Sequence, residues 1–74
     1  MKKIQIYTEF IKLDQFMKLA SLVTSGAEAK NMILEGCLFV NGQSCTQRGK
    51  KLREGDIIAF KEQQWIIENE NHAN

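Results

Sequence analysis

The chain predicts an α+β fold: two packed helices against a small antiparallel sheet. Three observations carry that expectation. Apolar residues recur at steps of three and four in two stretches, Leu13, Phe16, Met17, Ala20, Val23 and then Ala29, Met32, Ile33, as on helices with one buried stripe. Several short runs rich in Ile, Val and Phe alternate as strands do. Asn41-Gly42, directly after such a run, favours a type I′ hairpin turn.

The elements follow in order. Lys2 to Thr8 reads as a short edge strand, with Ile4 and Ile6 on one side and Lys3, Gln5 and Tyr7 on the other. The first helix is expected from about Lys12 to Val23, with Leu19 widening its stripe and Leu22 off it. Asp14 and Lys18, four apart with the acid first, suit an ion pair. Thr24-Ser25-Gly26 then turns the chain, and Ser25 with Glu28 has the form of a capping box. In it the serine oxygen accepts from the N–H three residues on, and the glutamate reaches back to the cap residue. Gly36 ends the second helix, because glycine takes the left-handed conformation without steric cost.

Cys37 to Val40 is the outgoing strand of the hairpin and Gln43 to Cys45 the return, with Val40 opposite Gln43, Phe39 opposite Ser44 and Leu38 opposite Cys45. That register puts Cys37 and Cys45 on opposite faces, which predicts two free thiols. Thr46 to Glu54 reads as a basic loop and Gly55-Asp56 as a turn. Ile57–Phe60 and 64–68 are further strands separated by Lys61-Glu62-Gln63, and a polar tail frays from about residue 69.

Seventy-four residues make a single domain, 1–74, and a chain this short buries only about 60% of its unfolded surface. No apolar run approaches the roughly 20 residues of a membrane span, and Met1-Lys2-Lys3 leads into a strand pattern instead of a signal core. A cytoplasmic protein with no membrane contact is expected. Neither zinc spacing nor a C-x-x-C motif occurs, so no metal or cofactor is expected.

The net charge of +1 conceals an asymmetry. Residues 1–61 hold all ten Lys and Arg against six acids, a balance of +4, while residues 62–74 hold three Glu and no cation. A basic body with an acidic end points to one anion-attracting face. Lys12, beside Gln15, has no acid three or four residues after it, and Lys30 has none at either spacing in either direction. Gln47 to Arg53 places four cations and no acid in seven residues, with Gly49 allowing close backbone approach. Arginine forks onto phosphate and lysine acts as a point charge.

Other chemistries fit less well. A Cys–His pair would need His72, which lies in the tail, and no catalytic residue is assigned. Trp65 reads as core, and Tyr7 and Phe39 as packing against a helix more than as stacking platforms.

Lys12-Leu13-Asp14, Ser25…Ala29-Lys30, Ile33…Gly36, Val40-Asn41-Gly42 and Gly55-Asp56-Ile57-Ile58 follow the order and spacing of the αL RNA-binding motif. The chain resembles that family from about Ile11 to Phe60. SGAEAK, VNG and RGKKLREGD are most similar to its stand-alone YaaA/YbcJ-like branch, in which the domain is the whole protein. The resemblance implies RNA binding through the helix pair and the adjoining loop. The family's first-helix arginine falls on Lys12 and its second-helix basic residue on Lys30. Its usual Ser-Arg pair is Ser25-Gly26 here, so one RNA contact is missing.

Together these point to a small, monomeric RNA-binding protein, not an enzyme, that reads structured rRNA or tRNA by shape and phosphate contact. The candidate contacts are Lys12, Gln15, Ser25, Lys30, Asn41, Gln47, Arg48, Lys50, Lys51 and Arg53. The competing reading is a protein-interaction module whose basic loop docks an acidic partner. DNA recognition has only Lys30 and Asn31 to offer a major groove.

Overall fold

The structure is a computed structural model that describes residues 1–70. The chain runs β1 (Lys2–Ile6), β2 (Ile11–Lys12), α1 (Leu13–Leu19), α2 (Gly26–Leu34), β3 (Leu38–Val40), β4 (Gln43–Ser44), β5 (Lys51–Leu52), β6 (Ile57–Phe60) and β7 (Gln63–Asn69). Five strands form one sheet in the order β1-β7-β6-β3-β4, and β2 and β5 form a separate two-stranded ribbon. The class is α+β, richer in strand than expected.

The main sheet is mixed, not wholly antiparallel. β1 lies parallel to β7, with Lys2 opposite Trp65 and Ile6 opposite Asn69. Alternation along β1 says which side chains share a face but not which way the neighbouring strand runs, so only the closed fold decides this. The remaining pairs are antiparallel, and the hairpin register is as expected: Val40 opposite Gln43 and Phe39 opposite Ser44. Asn41 and Gly42 both take positive φ (51° and 87°), as a type I′ turn requires. Cys37 and Cys45 are free.

α1 is shorter than its apolar spacing suggests, ending at Leu19 instead of Val23. Ser21 takes a left-handed φ of 63°. Its N–H donates to the Lys18 carbonyl (3.1 Å), and the Leu22 N–H donates to Met17 (2.9 Å). This is a Schellman ending with serine where glycine is usual, so no glycine in the sequence announces it. Leu22 folds back onto the core after the stop, Val23 is buried from the connecting segment, and Leu19 is exposed on the helix.

α2 begins where its cap predicts: Ser25 Oγ accepts from the Glu28 N–H at 3.2 Å. Glu28 reaches one residue further back than the capping box implies. It accepts from the Thr24 N–H (2.9 Å) and hydroxyl (3.3 Å) instead of from Ser25. The Asp14 carboxylate accepts from the Gln15 N–H (2.8 Å) and forms no ion pair with Lys18.

One core joins both helices to the sheet. Leu13, Phe16, Met17, Ala29, Ile33, Leu38, Ile58 and Ile67 are fully buried within it. Trp65 is a core residue, meeting Phe16 edge-on with ring centroids 5.6 Å apart. Tyr7 and Phe39, expected to pack, are exposed. β7 runs through Asn69 and Glu70 follows in a turn; residues 71–74 of the expected tail, His72 included, lie outside the described residues. Among the described residues no helix is long and apolar enough to cross a membrane.

Candidate nucleic-acid interface

The basic segment 46–54 is not a free loop. Within it, Lys51 and Leu52 form β5, which pairs antiparallel with β2 so that Lys12 stands opposite Lys51 and Ile11 opposite Leu52. Leu52 is completely buried and joins the core. A single apolar residue among cations is too short a run to show strand alternation, so the sequence reads as a loop.

The segment also begins α1. Lys12 occupies the N-cap position but supplies no side-chain cap. The carbonyl of Lys50 accepts from the Leu13 N–H at 2.9 Å, and that of Arg48 from the Asp14 N–H at 3.1 Å. Two of the four amide groups that every helix leaves unpaired at its start are thus satisfied by backbone from the basic segment. The far end is fixed as well. Asp56 Oδ2 accepts from the Arg53 N–H at 2.8 Å, and the Gln47 carbonyl accepts from the Lys50 N–H at 3.1 Å.

This anchoring sets the side chains. Leu52 points inward, so by strand alternation its neighbours Lys51 and Arg53 point out together. Both lie over the ring of Phe10, with Lys51 Nζ 4.8 Å and the Arg53 guanidinium carbon 5.5 Å from its centre. Such contacts are worth about 0.5–1 kcal/mol each at exposed sites. Among the described residues, Lys12, Lys30, Arg48, Lys50, Lys51 and Arg53 form no ion pair; the pair that is present, Lys3–Glu68 at 3.9 Å, joins the edge strand β1 to its neighbour β7. Like charges placed directly opposite on paired strands repel. The Lys12–Lys51 pair is therefore held against its own electrostatics by the buried side chains beneath it.

The expected contacts divide accordingly. The ribbon sets Lys12 opposite Lys51, Arg53 shares the Phe10 ring with Lys51, and the backbone of Arg48 and Lys50 is bonded to the start of α1. Gln15 is exposed on the first turn of the same helix. Gln47 is exposed at the turn into the segment. The bonds that gather this group do not extend to Lys30, which is exposed on α2. The Ser25 hydroxyl is occupied as a cap. The Asn41 side chain ties two turns together, donating to Asp56 Oδ1 (3.0 Å) and accepting from the Ile57 N–H (2.9 Å). Phe10 and Leu52 were not among the expected residues. Cations two apart around one apolar residue were the available clue to the strand and its aromatic support.

What the surface offers chemically is a set of cations that, among the described residues, form no ion pair, on a backbone fixed before any ligand arrives. Among the described residues no group of three or more His, Cys, Asp or Glu side chains is placed to hold a metal ion.

The profile of the S4 domain matches residues 4–68 of the chain. A probable ribosome maturation protein, RlbA of Bacillus subtilis (strain 168), is 44% identical over 58 residues, covering 78% of this chain and 82% of that protein. A protein named hemolysin A from Brachyspira hyodysenteriae is 33% identical over 48 residues, covering 65% of this chain but 20% of that protein.

Proposed function

The chain belongs to the S4 domain family, and from that premise we propose that it is an RNA-binding protein that docks on structured ribosomal RNA during ribosome maturation. It acts by binding, not catalysis, as a monomer in the cytoplasm. The name of the Bacillus relative favours ribosomal RNA over transfer RNA. The observation that supports the reading is the capping of α1 by the Arg48 and Lys50 carbonyls, which fixes the backbone of the basic segment beside Lys12.

The physical route is electrostatic. An A-form helix presents phosphates and 2′-hydroxyls across a wide, shallow minor groove, which a preformed basic ridge fits better than a side chain seeking base edges. Counterions released from each neutralised phosphate supply the free energy, so affinity depends steeply on salt. Ordering long basic side chains costs entropy, and Phe10 reduces that cost by holding two of them beforehand.

With about five phosphate contacts, log K falls against log salt with a slope of roughly −4. The Arg48/Lys50/Lys51→Ala triple variant should bind ribosomal RNA fragments far more weakly and with a slope nearer roughly −2. Unchanged affinity and slope in a variant with the wild-type unfolding midpoint would overturn the assignment. A protein partner that survives ribonuclease treatment and is lost in the same variant would favour the protein-docking alternative.

A further inference from the structure

Beside the basic ridge, between the β3–β4 hairpin and the 46–50 segment, lies an open groove of about 310 Å³. It is at the small end of the range for ligand sites, which run from about 300 to 1,000 Å³, so it has room for one small polar unit and not a stack of them. Two of its polar side chains are already engaged: Asn41 with Asp56 and Ile57, and Ser44, whose hydroxyl donates to the Gly36 carbonyl at 2.8 Å. Gln43, Thr46 and Gln47 also line it, and among the described residues their side chains make no hydrogen bond. Lys50 also lines it, and among the described residues no carboxylate does.

That inventory specifies a ligand. Two carboxamides and a hydroxyl each both donate and accept, so they match a group that does the same. A ribose 2′-hydroxyl and a base edge have that character. Lys50 adds a place for a single negative charge. A ribonucleotide combines these features in one unit: a phosphate joined to a sugar and base rich in donors and acceptors. Lys50 supplies continuity with the ridge, since it lines the groove while its carbonyl caps α1.

We propose that this groove seats one unpaired ribonucleotide of the bound RNA, next to the paired segment lying on the basic ridge. The inference rests on the RNA-binding reading and adds to it: the preferred target is a helix interrupted by a single-nucleotide bulge, and the protein distinguishes ribose from deoxyribose at that nucleotide.

Three synthetic hairpins test this: one fully paired, one with a single-nucleotide bulge, and one whose bulged nucleotide is 2′-deoxy. The wild-type protein should bind the bulged hairpin on the order of 10-fold tighter than the paired one, the equivalent of about 1.4 kcal/mol. The 2′-deoxy bulge should lose part of that margin. In the Gln43→Ala/Thr46→Val double variant, with its unfolding midpoint checked, the ratio of bulged to paired affinity should fall toward one. Valine keeps the shape of threonine and removes only its hydroxyl. Equal wild-type affinity for paired and bulged hairpins would overturn the proposal, as would a double variant that keeps the full ratio. Neither result would touch the RNA-binding reading, which stands or falls on the response of the paired hairpin to the Arg48/Lys50/Lys51→Ala substitution.

Discussion

The two helices start in opposite ways. α2 is capped by its own neighbours: Ser25 bonds the Glu28 amide, and Glu28 bonds Thr24, all within five residues. α1 has no cap from its N-cap residue Lys12; the Gln15 amide bonds Asp14 locally, but the first two amides are capped by carbonyls 34 and 37 residues downstream, Asp14 by Arg48 and Leu13 by Lys50. A local cap stabilises one helix and little else. A cap supplied from a distant segment couples two parts of the chain, so the start of α1 and the basic ridge are ordered together or not at all. The difference shows how a 74-residue chain arranges unpaired cations on a firm base. It uses the hydrogen-bonding deficit of a helix to hold the segment that carries them.

The largest expected effect comes from breaking the long-range side of that contrast. Leu52→Ala removes a fully buried side chain beneath the ridge and should cost about 2–5 kcal/mol by denaturant unfolding. Under native conditions, hydrogen exchange at the Leu13 and Asp14 amides should accelerate more than at Glu28. Equal loss at all three would mean that the ridge is not a separately opening unit.

Ser25→Ala breaks the local side. It should cost about 1 kcal/mol, with the selectivity reversed: the Glu28 amide loses protection while Leu13 and Asp14 keep theirs. Ser25→Asp should restore most of the stability, since aspartate caps comparably.

Phe10→Leu gives the smallest effect. Leucine preserves apolar packing and removes the ring under Lys51 and Arg53, so unfolding should shift by no more than about 1 kcal/mol. RNA affinity should fall a few-fold with the salt slope unchanged, because the cations are still present but less well placed. A flatter slope would mean that phosphate contacts themselves had been lost.

Much of the fold was legible in the sequence, and the exceptions share a cause. The hairpin register, the Asn41-Gly42 turn, the Ser25 cap and the Ile57–Phe60 strand all rest on residues within a few positions of one another, where side-chain chemistry acts directly on the backbone. The early end of α1 escaped because serine occupies a position where glycine is usual. The expected Asp14–Lys18 pair failed because the carboxylate had a nearer donor in the Gln15 amide. On the site, the list of cations could be read from spacing, but their grouping could not. Lys12 meets Lys51 through a ladder that neither segment signals alone, and Lys30 stays outside it.

The amino-acid sequence by itself determined the fold class, the hairpin and its turn, the start of the second helix and the inventory of uncompensated cations. These follow from local conformational preference and from counting charge. Only the tertiary structure decided that β1 runs parallel to β7, that the basic segment caps α1, and that Lys12 stands opposite Lys51. Backbone amides and carbonyls are the same at every residue, so no residue type records which distant partner they will find.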